Sequence, residues 1–238
     1  MFKAFALFML LVSAGAQAQP SLHTDLPLNY LTRADEQARN RPLVIFLHGS
    51  GSNEEDLLTL ADELPKHYNY LSVRAPKSME PGRYQWFARK GEGAYEGDTS
   101  DLKASGQMLL EFIEKARAKY PTDASNVYLV GFSQGAMMSY EVALRHPEAV
   151  GGIAAMGGRV LSVLRAELTP DESRRDLAVF IGHGTVDPII PYHDGTDADT
   201  FLKTLALEPE FHAYPGLGHN ISAQEVKDLR AWLERLNP

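Results

Sequence analysis

Val127-Tyr128-Leu129-Val130-Gly131-Phe132-Ser133-Gln134-Gly135-Ala136-Met137-Met138 joins an apolar run to a stretch of helix formers through a serine with glycine at both second neighbours. Four consecutive apolar residues fit a strand buried on both faces, as in a parallel sheet. Gln134 to Leu144 reads as a helix, ended before Pro147. A Gly-x-Ser-x-Gly between such a strand and such a helix fits a nucleophile elbow. The turn forces the serine into strained backbone angles, and a side chain at either glycine would collide with the neighbouring strand or helix. The strain lifts the hydroxyl above the sheet, where a substrate can reach it. The pattern occurs once in the chain. The competing reading is a tight turn that carries an inert serine.

Outward from the elbow, strand and helix signals alternate with short turns, which predicts a parallel sheet covered on both faces. Leu43-Val44-Ile45-Phe46-Leu47 and Tyr70-Leu71-Ser72-Val73 are strand signals upstream. Between them Asn53 is expected to cap a helix, with Glu54, Glu55 and Asp56 at its positive end and Leu57, Leu58, Leu60 and Leu64 inward. Asp101 to Tyr120 reads as a long amphipathic helix with Leu102, Leu109, Phe112, Ile113 and Ala116 buried. Val150 to Met156, Leu177-Ala178-Val179-Phe180-Ile181 and Phe211-His212-Ala213-Tyr214 are the later strands. Ser222-Ala223-Gln224-Glu225 is a capping box that opens a last helix, with Val226, Leu229, Trp232, Leu233 and Leu236 inward. Pro76 to Asp98 is the least regular stretch, rich in glycine and aromatics, and follows a strand, where open sheets carry substrate loops.

The chain has 238 residues, enough for one sizeable core. With 23% charged and 44% hydrophobic residues its composition is that of a soluble globular enzyme. A formal net charge of −8 and the lack of any Lys/Arg block argue against nucleic acid or an anionic membrane surface as partner. Without cysteine there can be no disulfide, no thiolate zinc site and no cysteine nucleophile. Met1-Phe2-Lys3 is a short positive start, Ala4 to Val12 is apolar, and Ala16-Gln17-Ala18 offers small residues where a signal peptidase reads. Residues 1–18 are therefore expected to be an export signal cleaved before Gln19. The mature chain, 19–238, would be one domain in the periplasm or outside the cell, one unit more negative and without stable membrane association. An uncleaved anchor is the rival reading.

A serine hydroxyl needs a base within hydrogen-bond reach. On this architecture the acid and then the histidine follow the nucleophile, each on a loop after a later strand. His219, in Tyr214-Pro215-Gly216-Leu217-Gly218-His219, lies in a glycine-rich loop between the last strand and the last helix. His146 falls at the far end of the elbow helix, and His212 faces a sheet surface. Asp187, in Gly182-His183-Gly184-Thr185-Val186-Asp187-Pro188-Ile189-Ile190-Pro191, is the expected acid, holding the histidine's tautomer and stabilising the imidazolium. Asp194, Asp197 and Asp199 read as capping or solvated acids. His183 and His193 read as loop residues supporting the turn, with His193 the second candidate for base.

A developing oxyanion takes one N–H from the residue after the nucleophile, Gln134, and one from the loop after an early strand. His48-Gly49-Ser50-Gly51 is such a loop; Ser50 is the expected second donor and Gly49 the next choice. Tyr84, Trp86, Phe87 and Tyr95 are expected to line a substrate pocket, with a packed lid as the alternative. Met137 and Met138 read as core. No His, Asp or Glu group has metal-ligand spacing, and Gly49-Ser50-Gly51 lacks the lysine of a phosphate loop. No metal and no cofactor is expected.

Together, the blocks Leu47-His48-Gly49-Ser50-Gly51-Ser52, Gly131 to Ala136, Gly182 to Pro191 and Tyr214 to His219 resemble the phospholipase/carboxylesterase family of α/β-hydrolases, which includes acyl-protein thioesterases and small bacterial carboxylesterases. The resemblance covers about residues 40 to 238. It implies the α/β-hydrolase fold, a mostly parallel central sheet with helices on both faces. It also implies nucleophile Ser133, acid Asp187, base His219 and oxyanion donors at Ser50 and Gln134. The chain departs from the family where Trp86-Phe87 is followed by Ala88-Arg89-Lys90 and a glycine-rich insert in place of an acid. It departs again in its export signal, since family members are typically cytosolic.

The expected activity is that of an exported serine esterase acting on small, water-soluble carboxylic esters through an acyl-enzyme. Thioester or lysophospholipid cleavage and an aryl-ester (feruloyl-type) activity are the rival enzyme readings. A binding protein that kept the scaffold and lost the chemistry is the rival of another class.

Overall fold

Apolar runs without polar alternation become central strands here, because both faces of the sheet are covered. The computed structural model describes residues 21–90 and 96–237. The expected signal at 1–18 and the pocket candidate Tyr95 lie outside the described residues. The strands are β1 (Tyr30–Arg33), β2 (Leu43–Leu47), β3 (Asn69–Val73), β4 (Lys77–Glu80), β5 (Arg83–Gln85), β6 (Arg89–Lys90), β7 (Glu96–Gly97), β8 (Val127–Phe132), β9 (Gly152–Met156), β10 (Ala178–Gly184) and β11 (Glu210–Tyr214). The helices are α1 (Thr99–Lys119), α2 (Gln134–Arg145), α3 (Ser162–Glu167), α4 (Tyr192–Thr204) and α5 (Ala223–Leu236).

Seven of these strands form one sheet in the order β1-β3-β2-β8-β9-β10-β11. Each pairing is parallel except that of β1 with β3. Alternate residues of one strand serve opposite cores. Leu43, Ile45 and Leu47 pack with Leu102, Leu109 and Phe112 of α1, and with Met137 and Met138 of α2. Val44 and Phe46 pack on the other face with Tyr70, Phe180, Leu229 and Trp232. Helix α5 opens with the expected capping box, Ser222 Oγ accepting from Glu225 N–H at 3.1 Å.

Two local expectations are corrected. Asn53 caps no α-helix: its Oδ1 accepts from Glu55 N–H (2.9 Å) in a local turn, and only the 3-10 helix Leu58–Asp62 follows. Glu54 turns inward to meet Arg74, with Nε to Oε2 at 2.7 Å, which a regular solvent-facing first turn would not permit. Leu57, Leu58 and Leu64 are buried all the same. The stretch Pro76 to Asp98 is less irregular than its composition suggests. β4 pairs with β5, and β6 with β7, as two short antiparallel hairpins.

Candidate active site

The in-register ends of β2, β8, β9 and β10 deliver the loops of the site to one edge of the sheet. Leu47 pairs with Gly131, and Phe132 and Gly182 both pair with Met156. Beyond β8 the chain turns at Ser133 with φ 54° and ψ −116°, left-handed backbone in a non-glycine residue. Such strain costs on the order of 1–3 kcal/mol and persists only where the surroundings over-determine it. Ser133 N–H donates to Met156 O at 2.9 Å, tying the turn to β9. Both motif glycines are required by close approach. A Cβ at Gly131 would strike the Gly135 backbone, and one at Gly135 would strike the Leu47 carbonyl.

The three residues expected to react together meet there. Ser133 Oγ lies 2.9 Å from His219 Nε2, and His219 Nδ1 lies 2.7 Å from Asp187 Oδ2. A proton on Nδ1 donates to the carboxylate, which leaves Nε2 to accept from the serine. Asp187 is fixed from behind, its Oδ1 accepting from Ile189 N–H (2.8 Å) and Ile190 N–H (2.9 Å). Val186 N–H to Leu217 O (3.1 Å) and Gly216 N–H to Thr185 Oγ1 (3.0 Å) tie the acid loop to the base loop. The imidazole of His219 rests against the Phe132 ring, with centroids 4.8 Å apart.

The other histidines separate cleanly. His146 caps the far end of α2. His212 stacks on Phe180 and bonds to Glu210. His193 lies in the first turn of α4, exposed, rather than in a loop, because the helix starts directly after Pro191. His183 is a buried residue of β10; its Nε2–H donates to Ile190 O at 2.9 Å, bracing the turn that carries Asp187. Asp194 is not solvated: it is buried in α4, 3.5 Å from Arg159 Nε. Asp199 pairs with Lys203.

The oxyanion candidates lie beside the serine. A Cβ at Gly49 would come within 3.3 Å of Ser133 Cβ, so the His48–Ser50 loop passes directly over Ser133. The N–H groups of Ser50 and Gln134 meet no acceptor among the described residues. His48 sets the loop. Its Nε2 accepts from Ala75 N–H (3.1 Å), so the proton sits on Nδ1, which donates to Gly49 O (2.8 Å). Burial holds the His48 imidazole below its ordinary value, against the pull of the Gly49 carbonyl, which keeps it neutral.

Trp86 and Phe87 do not line a pocket. Both are 0% exposed and belong to the core under α1 and α2. Their position in an irregular stretch suggested accessibility, but Gln134 pins them inward: Trp86 N–H donates to Gln134 Oε1 (2.7 Å), and Gln134 Nε2 donates to Phe87 O (2.8 Å). Tyr84 stays half-buried under the Arg74 guanidinium, 4.6 Å from its ring centre, next to the Ser50 loop. Exposed apolar side chains are found instead at Val186 and Ile189, on either side of Asp187, and at Met79, whose Sδ is 3.9 Å from Ser50 Oγ. A cleft of about 690 Å³ sits at the opposite end of β10, among Asp171, Arg175, Asp176 and Glu208, away from this chemistry. Among the described residues no group of three or more His, Asp or Glu side chains could hold a metal ion, and no helix is long and apolar enough to cross a membrane.

Sequence reading missed the Gln134 side-chain clamp and the His48 bonds. Each is made across a long sequence separation or by a main-chain partner, and no spacing pattern announces it. His183 supports the turn as expected, though from β10 rather than from a loop.

A phospholipase/carboxylesterase family model matches residues 31–237. An acyl-protein thioesterase 1 of Kluyveromyces lactis is 26% identical over 229 residues, spanning 88% of this chain and 98% of that protein. A probable carboxylesterase of Arabidopsis thaliana, SOBER1-like, is 30% identical over 220 residues, spanning 86% of this chain and 82% of its own. Among solved structures, the Bacillus cereus carboxylesterase superposes with a TM-score of 0.75 at 26% identity, covering 88% of this chain and 94% of that one.

Proposed function

This chain belongs to the phospholipase/carboxylesterase family of α/β-hydrolases, and from that premise we propose an exported serine esterase that cleaves small carboxylic esters with short acyl groups through an acyl-enzyme. It is a carboxylesterase/thioesterase-type hydrolase. The observation that carries the proposal is the unbroken line of hydrogen bonds from Asp187 through His219 to Ser133, at 2.7 and 2.9 Å. Ser133 Oγ attacks the ester carbonyl while His219 Nε2 takes its proton. The oxyanion is received by the N–H groups of Ser50 and Gln134, each donor of this kind being worth about 2.7–4 kcal/mol of barrier. Collapse of the tetrahedral adduct expels the alcohol, protonated by His219. A water activated by the same imidazole then releases the acid. Asp187 holds the tautomer throughout and stays ionised.

Val186, Ile189 and Met79 offer an open apolar rim to the acyl or alcohol group. With Trp86 and Phe87 buried, the aryl-ester reading loses the aromatic loop that motivated it. Thioester cleavage is the second reading, favoured by relatives named acyl-protein thioesterase. A panel of p-nitrophenyl esters of rising acyl length tests the main reading, with a maximum at short acyl chains expected; a maximum at long chains would overturn it. Matched oxygen and sulfur esters of one acyl chain separate esterase from thioesterase. A fluorophosphonate probe should label the protein but not Ser133→Ala; an unlabelled protein would be a binder on this scaffold. Export is supported by the Met1 to Ala18 pattern. The mature protein from the exporting cell should begin at Gln19, and a cytosolic product that keeps Met1 would refute this.

A further inference from the structure

We propose that Trp86 is a positioning residue of the oxyanion hole, its two N–H groups setting the spacing between the Ser50 loop and the nucleophile elbow. The inference rests on the assignment of Ser50 and Gln134 as donors. The indole Nε1–H donates to His48 O at 3.0 Å, at the root of the Ser50 loop. The backbone N–H of the same residue donates to Gln134 Oε1 at 2.7 Å, on the residue that carries the other donor. One side chain and its own amide thus bridge the two halves of the hole.

The surroundings make this bridge stiff. Before Trp86, Tyr84 pairs with the loop, Gly51 N–H to Tyr84 O at 2.8 Å and Tyr84 N–H to Ser52 O at 2.9 Å. After it, Gln134 Nε2 donates to Phe87 O at 2.8 Å, and Ser105 Oγ donates to Trp86 O at 2.5 Å. Residues 84–87 therefore run as a strap from one donor loop to the other. His48 completes the geometry. Its Nδ1–H holds Gly49 O, and in a planar trans peptide the following Ser50 N–H must point the opposite way. Trp86 grips the carbonyl of that same His48. At 0% exposure its ring cannot touch a substrate, so it acts only through these partners. An oxyanion hole accelerates a reaction because its dipoles are already aimed before charge develops. The strap supplies that aim.

The test is Trp86→Phe, which keeps an aromatic ring in the core and removes the indole N–H. Loss of a whole oxyanion donor costs about 10²–10³ in kcat. Here the bonds of the His48 imidazole and the Tyr84 pairing remain, so kcat per fluorophosphonate-titrated site should fall about tenfold, with KM nearly unchanged. Affinity for a boronic acid that mimics the tetrahedral adduct should weaken by a similar factor. Trp232→Phe, a buried tryptophan on the far face of the sheet, should lower Tm without changing kcat. Should Trp86→Phe fail to fold, 3-benzothienylalanine at position 86 keeps the bicyclic shape and still deletes the donor. Unchanged kcat and boronate affinity per titrated site, whatever the Tm, would overturn the inference. If the wild-type protein takes no fluorophosphonate, it is the serine-esterase reading itself that fails.

Discussion

Replacing Asp187 by asparagine should silence the enzyme while leaving it folded, and the hydrogen bonds around that side chain say why. Oδ1 accepts two backbone N–H groups, from Ile189 and Ile190. Both are donors, so the asparagine must keep its carbonyl oxygen there. Its NH₂ is then forced into the place of Oδ2, which now accepts from His219 Nδ1. Two donors would face each other unless the imidazole moves its proton to Nε2. In that tautomer Nδ1 accepts from the amide, and Nε2–H points at Ser133 Oγ. The serine then has no base.

A wrong tautomer of this kind lowers turnover by about 10⁴ in other triads, and a factor of that size is about 5.5 kcal/mol of barrier. The fold should lose far less. The second amide N–H meets the His183 side, where Nε2 is itself a donor to Ile190 O, and a buried unpaired donor costs about 1–3 kcal/mol. The assays are kcat on a p-nitrophenyl ester, the rate of fluorophosphonate labelling, and thermal unfolding followed by circular dichroism. Both rates should fall together, by about four orders of magnitude, with KM little changed. A loss under about a hundredfold in a folded protein would show that Asp187 does not govern the imidazole.

Two further outcomes follow from the packing. Glu225 is buried against Gly182 and Tyr214, and burial pushes its carboxyl up to about 8. The folded state then holds a proton that the unfolded chain gives up near its ordinary 4.5, so stability is lost as pH rises from about 4.5 towards 8. Glu225→Gln should flatten that decline and stabilise by up to about 3 kcal/mol at pH 7, read from urea midpoints at pH 5 and pH 8; a decline as steep as in the wild type would refute the assignment. Gly135→Ala places a methyl against the Leu47 carbonyl, an overpacking worth about 3 kcal/mol. Its Tm should fall by roughly 6–12 °C, and an unchanged Tm would mean the elbow has room that this backbone denies.

What could be read from sequence, and what could not, divides by range. Leu43 to Leu47 and Val127 to Val130 declare central strands because both of their faces are buried, and burial on both faces leaves no polar alternation. Gly131, Ser133 and Gly135 declare the elbow because the motif lies within five positions and the collision that excludes a side chain at Gly131 is with Gly135 itself, although the one at Gly135 is with the distant Leu47 carbonyl. His219 and Asp187 could be chosen because chain order on this architecture restricts the loops they can occupy. Trp86 and Phe87 mislead for the opposite reason. Aromatics in a glycine-rich stretch look available to a ligand, and only Gln134, some 48 positions away, turns them into the core. Glu54 looked like a solvated helix start until Arg74 took it. There burial works against the charge, yet the paired guanidinium outweighs it and holds the carboxyl below its usual range.

The same contrast bears on how the strained serine is kept in place. Left-handed backbone at Ser133 would relax if the turn could swing. On one side it is held by Ser133 N–H on Met156 O, a bond from elbow to neighbouring strand. On the other it is held by the Gln134 side chain, which clasps both the amide of Trp86 and the carbonyl of Phe87. Gln134 thus anchors the turn and, in the proposed mechanism, carries an oxyanion donor as the residue after Ser133. A variant such as Gln134→Ala would keep that backbone N–H and still release the strap. Its turnover should therefore fall although no group aimed at the substrate has been removed, and wild-type turnover in that variant would mean that the β8 and β9 backbones alone fix the serine.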